Sequence, residues 1–212
     1  MANKIDIQLL KDKVLEGNYS LEVCVKIDSD VHSKTCRETG HSISGEVIIS
    51  VWDENNQKTQ TEIGYISAFR SVSNNLSAVR FWSDSINQDL YEAFNWLLEE
   101  KFFPETDLLI DEVLYNSPVL LDRVFIEPEW RGYGFALRAV AAFLDLSRAT
   151  FVFLIPAPFD KTLSEEERNV KAKTLKRYWE KLGFENYDPQ NNVLWTECWK
   201  CPQWLRGSDD SY

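Results

Sequence analysis

The residues most able to do chemistry lie in one short stretch, Val124-Phe125-Ile126-Glu127-Pro128-Glu129-Trp130-Arg131-Gly132-Tyr133-Gly134-Phe135-Ala136. An apolar strand runs into a loop with two glycines, and the loop opens a helix. Gly132 and Gly134 let main chain approach a ligand with no Cβ in the way. The first turn of the helix offers unpaired N–H groups at the positive end of its dipole. Such a place binds anions, and Arg131 brings a fixed charge to it. The phosphate loop of nucleotide hydrolases, GxxxxGK[ST], is absent. The dinucleotide fingerprint GxGxxG fails at its third glycine, because Gly132 and Gly134 are followed by Leu137.

Carboxylates at the same strand supply candidate bases. Glu127, at the strand's end, is the first candidate and Asp122 the second. Strict alternation sets Asp122, Val124 and Ile126 on one face and Arg123, Phe125 and Glu127 on the other, so only one carboxylate can reach a given cleft. Cys198 and Cys201 form a CxxC, but Cys24, Cys36, His32 and His41 complete no finger spacing. No metal is expected, and reduced thiols are.

The elements that must position these residues follow from periodicity. Leu21, Val23, Val25 and Ile27 alternate as a half-buried strand, and 46–52 with 61–69 form a hairpin about Asp53-Glu54-Asn55-Asn56. Ser85 and Gln88 predict a capping box opening a helix whose stripe is Ile86, Leu90, Phe94, Leu97 and Phe102, ended by Pro104. Strand 119–126 stops at Pro128, and a helix spans 134–147. The continuous apolar run 151–155 reads as a strand buried on both faces. Ser164 with Glu167 opens a last helix, which runs to Leu182 with Gly183 as its cap. Residues 192–198 make a final strand. The second half alternates βαβα, so 119–126 and 151–155 should be parallel neighbours in an otherwise antiparallel sheet.

The loop, read as Arg131, two residues, Gly134, one residue, Ala136, resembles the pyrophosphate loop of the GNAT superfamily of N-acetyltransferases. A second stretch, Tyr178-Trp179-Glu180-Lys181-Leu182-Gly183-Phe184, resembles that family's helix ending in Tyr-Glu-Lys-Leu-Gly-Phe. The likeness covers roughly residues 119–198. It implies an α/β fold: a mixed, mostly antiparallel twisted sheet, a parallel pair splayed at the cofactor cleft, and helices on both faces. It also implies acetyl-coenzyme A as cosubstrate. Amides from Arg131 through Gly132, Tyr133, Gly134 and Phe135 to Ala136 would hold the pyrophosphate, and main chain of Val124, Phe125 and Ile126 would pair with the pantetheine arm. In the family a tyrosine protonates the departing thiolate. Trp179 fills that slot here, and Tyr178, one residue earlier, is the candidate acid if the helix is locally rotated, while Ala172 fills the slot of a frequent asparagine. Lys173, Lys176, Arg177, Arg138 and Arg148 are candidates for the adenosine phosphate. The function implied is acetyl transfer to a primary amine by direct attack. The alternative is a coenzyme A-binding module of the same fold without transfer activity.

Composition sets the outer limits. The 212 residues, 44% hydrophobic and 13% aromatic, suit one domain over 1–206, with an N-terminal part (1–118), a cofactor core (119–198) and a disordered tail (207–212). A net charge of −11 argues against nucleic acid. Between Asp84 and Glu112 nine acids face Lys101 alone. That run is either a solvated face or a rim that draws in a cationic small-molecule or peptide amine. The charged start MANKIDIQLLKDK is no signal peptide and no apolar run spans a bilayer, so a cytoplasmic protein off the membrane is expected. Oligomeric state stays open, a dimer included.

Overall fold

The computed structural model describes residues 7–28, 38–53, 56–73, 75–99, 117–158, 160 and 162–205. Helix α1 (Ile7–Leu15) leads into strands β1 (Ser20–Asp28), β2 (Gly40–Trp52) and β3 (Lys58–Ser71). Helices α2 (Leu76–Ile86) and α3 (Gln88–Leu98) follow. Then come β4 (Val119–Ile126), a 3-10 turn (Pro128–Trp130), α4 (Phe135–Leu146), β5 (Val152–Leu154) and α5 (Glu165–Trp179). A second 3-10 turn (Glu180–Leu182), β6 (Asn186–Asp188) and β7 (Val193–Thr196) complete the fold.

One sheet runs through all seven strands in the order β1-β2-β3-β4-β5-β7-β6. Every pair is antiparallel except β4 with β5. Helices cover both faces, which gives the mixed α/β architecture expected. On one face Leu10 and Val14 of α1 and Val140, Phe143 and Leu144 of α4 pack on Ile66, Val119 and Leu121. On the other, Val79 and Trp82 of α2 and Phe94 and Leu97 of α3 pack on Leu120 and Phe153. Strand β5 is buried on both sides, Phe153 toward one cluster and Val152 and Leu154 toward the other. That explains why its sequence does not alternate.

The helix expected to open at Ser85 opens instead after Asn87 as α3, and Ser85 lies in the last turn of a preceding helix, α2. Asn87 is extended, its side chain accepts from the Leu90 amide and its own amide donates to Ser83 O, so it ends α2 and caps α3. The Ser85 hydroxyl instead donates to Trp82 O at 2.7 Å. Phe102 and Pro104, the acidic residues from 100 to 112, and the tail at 207–212 lie outside the described residues. The capping box at Ser164 and Glu167 forms as read, and Gly183 closes the following 3-10 turn. Helices α1 and α2 and strand β6 were not read from the sequence.

Two departures from regular pairing shape the site. β4 pairs with β5 only at Val119↔Val152 and Leu120↔Phe153, while it pairs with β3 as far as Ile126. From Leu121 onward its other edge is free of strand partners. The register with β3 passes from Ala68↔Leu121 to Ser67↔Arg123, which leaves Asp122 as the extra residue of a β-bulge.

Candidate functional site

The loop after β4 is anchored at its entry. The Glu127 amide donates to Ile63 O at 2.8 Å, and the 3-10 turn buries Trp130. Tyr133 stacks on Phe135 at 5.5 Å between centroids, and Tyr19 meets Phe135 edge-on at 5.7 Å. Held by these rings, the chain turns through two left-handed positions, Gly132 (φ 91°) and Gly134 (φ 78°). Any L-residue there is strained. A Cβ on either would meet nothing within 4 Å, so both glycines border open space.

Gly134 stands at the cap of α4 with no side chain closing the helix end. Its carbonyl accepts from the Arg138 amide. The amides of Gly132, Gly134, Phe135 and Ala136 find no acceptor among the described residues. Phe135 is buried and Ala136 half-buried, so the side chains of this turn anchor it while the main chain is left to bind. Unpaired N–H groups at the start of a 12-residue helix make an anion site on main-chain geometry alone.

Arg131 is the main departure from expectation. Its Nε donates to Ile126 O at 2.8 Å and its guanidinium lies 5.5 Å over the Phe125 ring. The side chain is thus folded back along β4 and braces the strand end instead of lending its charge to the free amides. Among the other cations, Arg138 donates to the Tyr19 hydroxyl at 2.7 Å and Lys11 lies 5.9 Å over the Trp130 ring. Lys176 is committed to Glu180 and to the face of Tyr187. Lys173, Arg177 and Arg148 are exposed.

The three strand residues expected to meet an extended ligand are not equivalent. Since the Glu127 amide bonds to β3, alternation gives Phe125 to β3 as well, opposite Tyr65, and turns the main chain of Val124 and Ile126 to the open edge. Phe125 main chain is therefore unavailable to a ligand, and Arg131 occupies the Ile126 carbonyl. Val124 keeps both of its groups at that edge.

The bulge also overturns the facial assignment made by alternation. Asp122 lies with Arg123 and Phe125 on the α2–α3 side, opposite Val124 and Ile126. Its Oδ2 accepts from the Ser67 hydroxyl at 3.5 Å. Partial desolvation pushes its carboxyl pKa up, partly offset by Arg123 and Ser67 and reinforced by the like charge of Asp89 on α3. Glu127 is exposed at the loop entry. Tyr178 packs beside the first core cluster, edge-on to Trp179 at 5.0 Å, and burial pushes its phenol pKa up. The structure so packs Tyr178 beside the core and sets Asp122 in the bulge, and it leaves both Asp122 and Glu127 exposed.

Sequence reasoning missed Lys11 and Tyr19, which α1 and its following turn bring to the loop. The spacing Ile7, Leu10, Val14 carried the helical signal. Cys198 is exposed and Cys201 half-buried, both as free thiols, while Cys36 and His32 lie outside the described residues. Among the described residues no three His, Cys, Asp or Glu side chains gather as metal ligands, and no helix is long and apolar enough to cross a membrane.

No known protein family matches the chain, and no curated protein matches it. Among solved structures it is similar to the crystal structure of a point mutant of KacT. The identity is 12%, the match covers 82% of this chain and 94% of that one, and the TM-score is 0.33. That likeness is too distant to bear on the chemistry.

Proposed function

We propose that this chain is an acetyl-coenzyme A-dependent N-acyltransferase acting on a primary amine. One observation carries the reading: four unpaired amides and two open-faced glycines at the start of α4 adjoin a β4 edge left bare where β5 parts from it. The amides suit a diphosphate, and the bare edge suits an extended amide-bearing arm that pairs like a strand. The residues present therefore fit the cosubstrate, with Gly132, Gly134, Phe135 and Ala136 at its diphosphate and Val124 beside its arm.

In this reading the amine nitrogen bonds to the acyl carbon, the carbon–sulfur bond breaks, and the sulfur leaves as a thiolate that takes a proton. The proton shed by the nitrogen passes to Asp122, directly or through water. The bulge aims Asp122 to the α2–α3 side, and the desolvation that raises its pKa makes its carboxylate a stronger base while the side chain stays solvent-accessible. Both carboxylates are exposed, and Glu127, the sequence's first choice, is second here because Asp122 has its pKa raised by desolvation. Asp84, Asp89, Glu92 and Glu99 are exposed on or beside α2 and α3 and would favour a cationic acceptor. Positioning of the thioester would supply much of the rate.

The second reading is a coenzyme A-binding module without transfer. Trp179 in the family's acid slot favours it. Calorimetry with coenzyme A, paired with thiol release on an amine panel, separates the two. Binding with release supports the enzyme, binding without release supports the module, and an unchanged affinity in Gly134→Asp defeats the cradle on which both rest.

A further inference from the structure

We propose that two copies of this chain pair through the outer edge of β1, antiparallel about a twofold axis at Cys24, to make one continuous sheet. β1 is an end strand: it pairs with β2 from Ser20 to Asp28, and no described strand lies on its other side. An open strand edge presents N–H and C=O groups to any chain that can match it, and proteins blunt such edges with bulges, prolines, lysines or short length. β1 is nine residues long, has no proline, and keeps an unbroken register with β2. Its single lysine, Lys26, has a complement within the strand itself.

That complement appears in the near-palindrome Leu21-Glu22-Val23-Cys24-Val25-Lys26-Ile27. A twofold axis at Cys24 sets each residue opposite the one equally far from Cys24 in the second copy. Leu21 then faces the partner's Ile27, Glu22 the partner's Lys26, and Val23 the partner's Val25. With the axis perpendicular to the sheet, apolar face continues apolar face. Leu21, Val23 and Val25 pack on the core beneath α1 and α4, whereas Ile27 is 55% exposed and gains a cover only from the second copy. On the opposite face Glu22 meets Lys58 at 2.8 Å and Lys26 meets Glu46 at 2.7 Å. Across the seam these join into a row of alternating sign: Lys58, Glu22, the partner's Lys26, the partner's Glu46, made twice by symmetry. An axis at Val25 would oppose Glu22 to the partner's Asp28, and one at Val23 would give Lys26 only a serine. β1 stands three places along the sheet from β4, so this seam leaves the bare β4 edge open and does not depend on the coenzyme A reading.

Sedimentation equilibrium of the full chain tests the pairing. The wild-type chain should dimerise, and Glu22→Lys or Lys26→Glu should each weaken the dimer about tenfold by opposing like charges twice. An equimolar mixture of the two variants should regain the wild-type dimer, because each then meets the opposite charge across the seam. Contacts with Lys58 and Glu46 inside each chain are the same alone and mixed, so the recovery reads the interface and not the fold. A wild-type chain that stays monomeric, variants that dimerise as the wild type does, or a mixture that regains nothing overturns the proposal. The wild-type chain offers a second measurement if a variant does not fold. Cys24 is exposed, and directly opposed antiparallel residues hold their Cα atoms about 4.5–5.5 Å apart, within the span of a disulfide. Mild oxidation with diamide, which takes up the two thiol hydrogens, should yield a Cys24–Cys24 peptide on proteolytic mapping. Links at other cysteines alone, or none, overturn the register.

Discussion

Asp122 and Glu127 are five residues apart on one strand and its exit and both are exposed, and partial desolvation in the bulge acts on the Asp122 carboxyl. Its carboxyl pKa is raised, so the folded chain holds that proton more tightly than the unfolded chain does. The stability this lends is present in acid and is lost as pH climbs from the ordinary carboxyl value through the raised one. Asp122→Asn should therefore flatten that part of the stability profile, which urea melts between about pH 4 and pH 7 will read. In thiol release, the same variant should lose the acid limb of kcat/KM, and Glu127→Gln should keep it. A wild-type limb in Asp122→Asn would remove Asp122 as the base. Alternation along β4 could not have shown this. One extra residue in the ladder returns the next side chain to the same face, and nothing in the residue types announces where the ladder slips.

At the scale of elements, the junction of α2 and α3 shows how local capping decides a boundary that periodicity misses. The stripe from Ile86 through Leu90, Phe94 and Leu97 is helical on paper, and Asn87 inside it looks like a polar surface residue. In the fold Asn87 serves two helices at once, one through its side chain and one through its amide. Asn87→Ala should cost about 1 kcal/mol, a fall in Tm of roughly 2–4 °C for a chain of this size. Ser85→Ala should change it by less than about 0.5 kcal/mol, because the Ser85 hydroxyl bonds within its own turn. Equal losses in the two would restore Ser85 as the cap. The junction matters for the site because α3 carries Asp89 to the face that Asp122 shares.

Across the whole molecule, the site exists because β4 belongs to two neighbours of unequal length. β3 accompanies it to Ile126, while β5 is three residues long and leaves after Leu120. A ligand that fills such a seam adds a partner to a strand edge and an anion to a helix end, and it binds the folded state alone. Coenzyme A at about a hundred times its Kd should stabilise the chain by about 2.7 kcal/mol, seen as a rise in Tm of roughly 5–10 °C. Pantetheine, lacking the diphosphate, should give a smaller rise. No shift with coenzyme A in a differential scan would count against the cradle.

The sequence by itself determined the pieces whose signals are local. The glycine turn, strand 119–126 to the residue, the doubly buried β5, the Ser164 capping box and the parallel βαβ step all follow from side-chain volume, φ freedom and hydrophobic period within a few residues. Tertiary structure alone decided which way the functional groups face. The bulge that turns Asp122, the pairing that gives Phe125 main chain to Tyr65 and the fold-back of Arg131 onto Ile126 join residues up to 60 positions apart, as between Tyr65 and Phe125. Each depends on how a neighbouring strand or helix closes, and that is set by packing between elements, which no window along the chain contains.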